Sequence, residues 1–153
     1  MKAGSLPVVV GLVVAFFGAI GCRQRVAHSA VEVEAAMGHY DSLIKKTDAD
    51  SIAWMFTADG QLGDIAHGRD SIRRFLRTFK NVRVLQESTT TDHLVISGDK
   101  ADQKGLFVQI AVVNGKDTVH IKGSYETEWV WSEKEGWKIR RETTRSEDQP
   151  DKP

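Results

Sequence analysis

The hydrophobic period changes once along the chain, and that change limits what the chain can fold into. From Val82 to Arg145, long runs of β-branched and aromatic residues alternate with turn signals at "SGDK", "NGK" and "SEKEG". The pair Asn114-Gly115 is the most specific of these signals, because a type I′ hairpin needs positive φ at both central positions. Before Val82 the pattern is helical. Val33, Met37, Tyr40 and Ile44 fall at i, i+4, i+7 and i+11, one face of a helix. Thr47 or Asp48 then caps a second, shorter helix that carries Ile52, Ala53 and Phe56 inward and stops at Asp59-Gly60. An extended piece from Gln61 to Ile65 leads to Gly68 and a third helix with Ile72, Phe75, Leu76 and Phe79 on its apolar side. Helices followed by an antiparallel meander predict an α+β domain, about three helices packed on one face of a strongly curved, mainly antiparallel sheet.

The first residues belong to a different problem. Lys2 precedes an apolar run from Leu6 to Ile20, about 15 residues against the ~20 needed to span a bilayer, so an export signal is expected rather than a membrane helix. The stretch "GAIGC" resembles the lipobox of bacterial lipoprotein signal peptides, which implies lipidation of Cys22 as the new N-terminus. Cys22 is the sole cysteine, so no disulfide competes for it. Several acyl chains, at ~0.8 kcal/mol per buried CH₂, would hold the protein on a membrane. Arg23 stands where the lipoprotein inner-membrane retention signal has aspartate. The resemblance therefore implies anchoring in the cell envelope, on the outer membrane facing the periplasm where the source has one. The expected organisation is a signal peptide over 1–21, a lipidated tether over 22–30, one domain over 31–145 and a disordered tail over 146–153.

Charge and motifs remove several classes of function. Lysine plus arginine and aspartate plus glutamate are equal at 21 each, so no basic excess supports nucleic-acid binding by counterion release. The five histidines (28, 39, 67, 93 and 120) are scattered, and neither CxxC nor HExxH occurs, so no metal site and no cofactor are expected. About 130 residues remain after the leader, enough for one core without disulfides or metals.

The order helix, helix, short strand, "GRDSI" helix, then four long strands ending in "GSYETEWVWSEKEGWKI" resembles the SnoaL-like members of the nuclear-transport-factor-2-like superfamily. The resemblance covers roughly residues 31 to 145 and implies a cone whose helices and bent sheet enclose a pocket open at one end. It also implies a homodimer paired through the outer face of the sheet. Steroid isomerases share this cone and use a helix-1 tyrosine, an aspartate base after the first strand and a protonated acid on a late strand. The likeness places Tyr40 and Asp64 at the first two positions and Thr127 at the third, with Glu126 and Glu128 on the opposite strand face. A carboxylate set among tryptophans has its charged form destabilised and becomes a better base, and Tyr40 could donate to a developing enolate oxygen.

Candidate catalytic residues are thus Tyr40 and Asp64. Candidate pocket residues are Trp54, Phe56, His67, Tyr125, Thr127, Trp129 and Trp131. Plainer roles stand beside them: Tyr40 as a core aromatic, Asp64 as a solvated turn residue, and Lys138, Arg140, Arg141 and Arg145 as a solvated strand face. Two uses of the fold remain open. One is a membrane-tethered domain that binds a small, largely apolar molecule or serves as an interaction module. The other is an acid/base enzyme acting on a carbonyl compound, with Asp64 as base and Tyr40 as donor.

Overall fold

In a computed structural model, residues 27–147 are described. The expected signal peptide, Cys22 and the end of the expected tail (148–153) lie outside the described residues. Helix α1 (Ala30–Lys46) begins at Ser29, which forms a capping box with Glu32, and buries Val33, Met37, Tyr40 and Leu43. Ile44, on the predicted stripe, is half-buried against the same core. Thr47 closes α1 in the left-handed conformation, leaving Asp48 to cap α2 (Ala49–Trp54) by accepting from Ser51 N–H.

Here the chain departs from the sequence-based expectation. Phe56 is not in the second helix but opens strand β1 (Phe56–Leu62), which runs through Asp59-Gly60 rather than starting beyond it. Phe56 is fully buried either way. Its place in a strand comes from pairing parallel to the distant last strand, a non-local contact that periodicity does not reveal. Strand β2 (Ala66–His67) follows, then α3 (Arg69–Leu76), whose Ile72 is fully buried. Phe79 lies beyond the end of α3.

Strands β3 (Val82–Ser97), β4 (Lys100–Val113), β5 (Asp117–Ser132) and β6 (Gly136–Ser146) complete a six-stranded sheet in the order β2-β1-β6-β5-β4-β3. All pairs are antiparallel except β1 with β6. Asn114 and Gly115 have φ of 52° and 70° and sit in the β4–β5 turn, closed by Lys116 N–H donating to Val113 C=O.

Two glycines fit the bend of the sheet. A Cβ at Gly105 would overlap the Thr90 carbonyl, and one at Gly123 would overlap the Arg145 carbonyl. Neighbouring strands therefore come closer there than any side chain permits. The three helices cover the concave face, and the core lies between, with Trp129, Phe56, Ile72, Ile139 and Val33 almost wholly buried.

Candidate functional site

The concave face and the helices enclose a cavity of about 410 Å³. Ile52, Leu62, Phe75, Leu76, Phe107 and Ile121 give it apolar walls, and the exposed side chains of Ile65 and Phe79 also line it. Its volume is in the range of small-molecule sites. Set in these walls are Tyr40, Asp41, Glu87, Tyr125 and Glu142.

Tyr40 and Glu142 form the buried centre. The Tyr40 hydroxyl donates to Glu142 Oε2 at 2.5 Å, and the two residues are 4% and 6% exposed. Burial pushes the Tyr40 phenol well above its ordinary range, and the adjacent Glu142 carboxylate adds to this. Burial likewise raises Glu142 to about 7, against the opposing hydrogen bond from Tyr40, with Glu87 and Asp41 pushing it further up. Phe56 packs edge-on against the Tyr40 ring at 6.0 Å.

The other acids are held by neutral donors. Glu87 accepts from Gln109 Nε2 at 2.7 Å and is raised to about 7 by burial, with Asp41 adding repulsion. Asp41 Oδ2 accepts from Thr89 N–H and Oγ1, while its Oδ1 is buried without a partner, and burial raises this carboxyl too. At Tyr125, the hydroxyl is 3.4 Å from Thr91 Oγ1, which accepts from Gln103 Nε2, and Gln103 Oε1 accepts from Trp129 Nε1. That chain ties the cavity wall to the deepest tryptophan.

The sequence-based candidates divide sharply. Tyr40 and Tyr125 line the cavity. Asp64 is exposed in the turn between β1 and β2 and does not line it, so the structure does not bring Asp64 and Tyr40 together across one site. His67 is exposed on β2, also away from the lining. Phe56 and Trp129 are core residues beneath the site. Thr127 is 2% exposed, and its Oγ1 is buried without a partner. Trp131 packs on His28, ring centroids 4.5 Å apart, beside the start of α1. Trp54 is exposed over a second, more open depression of about 710 Å³, with the Arg69 guanidinium 4.0 Å above its ring. Lys138 is not solvated as expected: it is 7% exposed and its Nζ donates to Trp54 C=O.

Glu142 was not among the candidates, for a specific reason. Strict alternation along β6 puts Glu142 on the same face as Lys138 and Arg140, opposite Trp137 and Ile139. The register instead slips between Ile139, paired with Trp129, and Arg141, paired with Glu128. Arg140 is the extra residue of this bulge, and it returns Glu142 to the inner face, directly across from Thr127. An inward-facing carboxyl therefore stands one strand away from Thr127.

Known structures share this architecture. A ketosteroid isomerase-like protein from Erwinia carotovora atroseptica superposes with a TM-score of 0.68 at 17% identity, over 78% of this chain and 96% of that one. A function-unknown protein from Mycobacterium tuberculosis gives 0.68 at 21% identity, over 78% and 72%. A putative scytalone dehydratase from Novosphingobium aromaticivorans gives 0.64 at 19%, over 80% and 87%. No curated protein sequence matches the chain. A family model described as SnoaL-like domain matches residues 25–143, nearly all of the fold just described. The chain therefore belongs to the SnoaL-like domain family and has its cone fold, with a pocket on the concave side of the sheet.

Proposed function

We propose that the domain binds a small, largely apolar molecule in this cavity. The observation that carries the reading is a 410 Å³ space walled by apolar side chains such as Phe75, Phe107 and Ile121, with hydrogen-bonding side chains such as Tyr40, Gln109 and Glu142 set among them. The protein works in the cell envelope, held there by lipid on Cys22. It pairs with a second copy through the outer face of the sheet, where Leu106, Val108, Ile110 and Val112 form a continuous apolar row along β4 and Leu106 is 51% exposed. Native mass spectrometry of the detergent-extracted protein tests all three parts. It should yield a co-purified small molecule lost in a cavity-filling Ile121→Trp variant, an acylated chain and a dimeric mass. Protein with no bound molecule, and no binding of naphthalene-sized compounds, would reject the cavity reading.

A second reading is supported by one observation, the buried hydrogen bond between Tyr40 and Glu142 in the cavity wall. A carboxyl near pKa 7 beside a phenol can take and return protons at neutral pH. Relatives in fold carry the descriptions ketosteroid isomerase-like and putative scytalone dehydratase. In this reading Glu142, not Asp64, is the base that removes a proton next to a carbonyl, and Tyr40 moves its hydrogen bond to the enolate oxygen. Deuterium exchange into cyclic ketones and enones decides it. Exchange above buffer that survives Asp64→Asn and is lost in Glu142→Gln supports catalysis, and exchange no faster than buffer rejects it.

A further inference from the structure

The lining of the cavity is one-sided in charge. Asp41 on α1, Glu87 on β3 and Glu142 on β6 all contribute carboxyls, while among the described residues no lysine, arginine or histidine lines the space. Their hydrogen-bond donors are neutral: Thr89, Gln109 and Tyr40. Among the described residues none of the three enters an ion pair. Such an arrangement is costly in the empty protein: Lys45 offsets part of the charge at Asp41, but among the described residues no cation does so at Glu87 or Glu142, which either hold protons or repel one another.

We propose that the ligand is an organic cation, an amine-bearing molecule with an apolar body, whose ammonium group meets Glu142, with Asp41 and Glu87 adding negative charge elsewhere on the wall. The proposal rests on the binding reading above and adds the charge of the ligand. Glu142 is the centre of the case. It is 6% exposed and lines the cavity, and among the described residues only its Oε2 is taken, by Tyr40. Asp41 adds a buried Oδ1 with no partner. An ammonium brings several N–H donors and the missing positive charge, which offsets the cost of desolvating a carboxylate.

A bare metal ion suits the site less well. Among the described residues no three acidic, histidine or cysteine side chains converge as ligands. The three carboxyls come from separate elements around the wall. The aromatic and aliphatic walls at Phe75, Phe107 and Ile121 then take the body of the ligand, since a point cation has no use for them. A carboxylate-bearing ligand of the same size would meet like charge.

The test compares three probes with one ring and three charges: 1-naphthylmethylamine, 1-naphthalenemethanol and 1-naphthoate. Each is titrated calorimetrically into the full chain in detergent, at about pH 7.5 so that the ionised carboxylate is available. The amine should bind at least about tenfold more tightly than the alcohol, with naphthoate the weakest. Glu142→Gln and Glu87→Gln should each reduce the amine's advantage at least about threefold, and Glu87→Gln covers the case in which the Glu142 variant fails to fold. An alcohol that binds as tightly as the amine, or an advantage untouched by either substitution, overturns the cationic ligand and leaves the cavity reading standing. Failure of all three probes overturns both.

Discussion

The Tyr40 hydroxyl donates to Glu142 Oε2 across 102 positions of sequence, joining the first helix to the last strand inside the cavity wall. Both partners are nearly excluded from solvent, so the bond has no substitute in water.

Tyr40→Phe removes the donor and keeps the ring against Phe56. Glu142 then loses the one interaction that opposes its burial, and its pKa should rise above the present value of about 7. The folded state should lose about 1–3 kcal/mol, the usual range for stranding a buried polar group. Urea unfolding and a carbon-13 titration of the Glu142 carboxyl check the two effects separately.

Stability should fall as pH rises through neutrality. Glu87 and Glu142 are raised from an ordinary 4.5 to about 7, so the folded protein holds these protons more tightly than the unfolded chain does. Their contribution is therefore fully present below about pH 4.5 and is lost as pH climbs through about 7. Asp41, also raised by burial, acts in the same direction. Between pH 5 and 8 the buried Glu142 alone should account for a loss of roughly 2 kcal/mol. Thermal melts across that range should show the decline, and Glu142→Gln, which cannot ionise, should flatten it.

Gly105→Ala should be far more damaging than alanine at an ordinary strand position. The new methyl overlaps the Thr90 carbonyl and also touches the Tyr125 ring, so β3 must move away from β4 and Tyr125 must give as well. A loss of about 2 kcal/mol or more is expected, by overpacking. Gly98→Ala is the control, because its turn offers open space and only a positive φ of 58° opposes the substitution. Chemical denaturation of the two variants should rank Gly105→Ala as the less stable.

Cys22→Ser should release the protein from the membrane fraction or leave the leader uncleaved. Cys22 is the only thiol in the chain, and no helix among the described residues is long and apolar enough to cross a membrane. Fractionation with mass spectrometry of the N-terminal peptide reads the result, and unchanged partitioning with an unmodified Cys22 would end the lipid-anchor reading.

Local physics alone determined much of this molecule. The cap at Asp48, one of the two candidates with Thr47, and the positive φ at Asn114 and Gly115 depend on residues a few positions apart, and they appear where the sequence places them. The stripe through Val33, Met37 and Tyr40 marked the buried face of α1, since a period of 3.6 needs no partner to be visible.

Tertiary structure decided the site. Phe56 became a strand residue through parallel pairing with β6, and Asp64 stayed exposed in the β1–β2 turn, whose neighbours Leu62 and Ile65 line the cavity while Asp64 does not. Glu142 faces inward only because one extra residue at Arg140 shifts its register against β5. A strand has a side-chain period of two, so a single bulge reverses every assignment beyond it. The bulge exists in the pairing of two strands, not in the composition of either one.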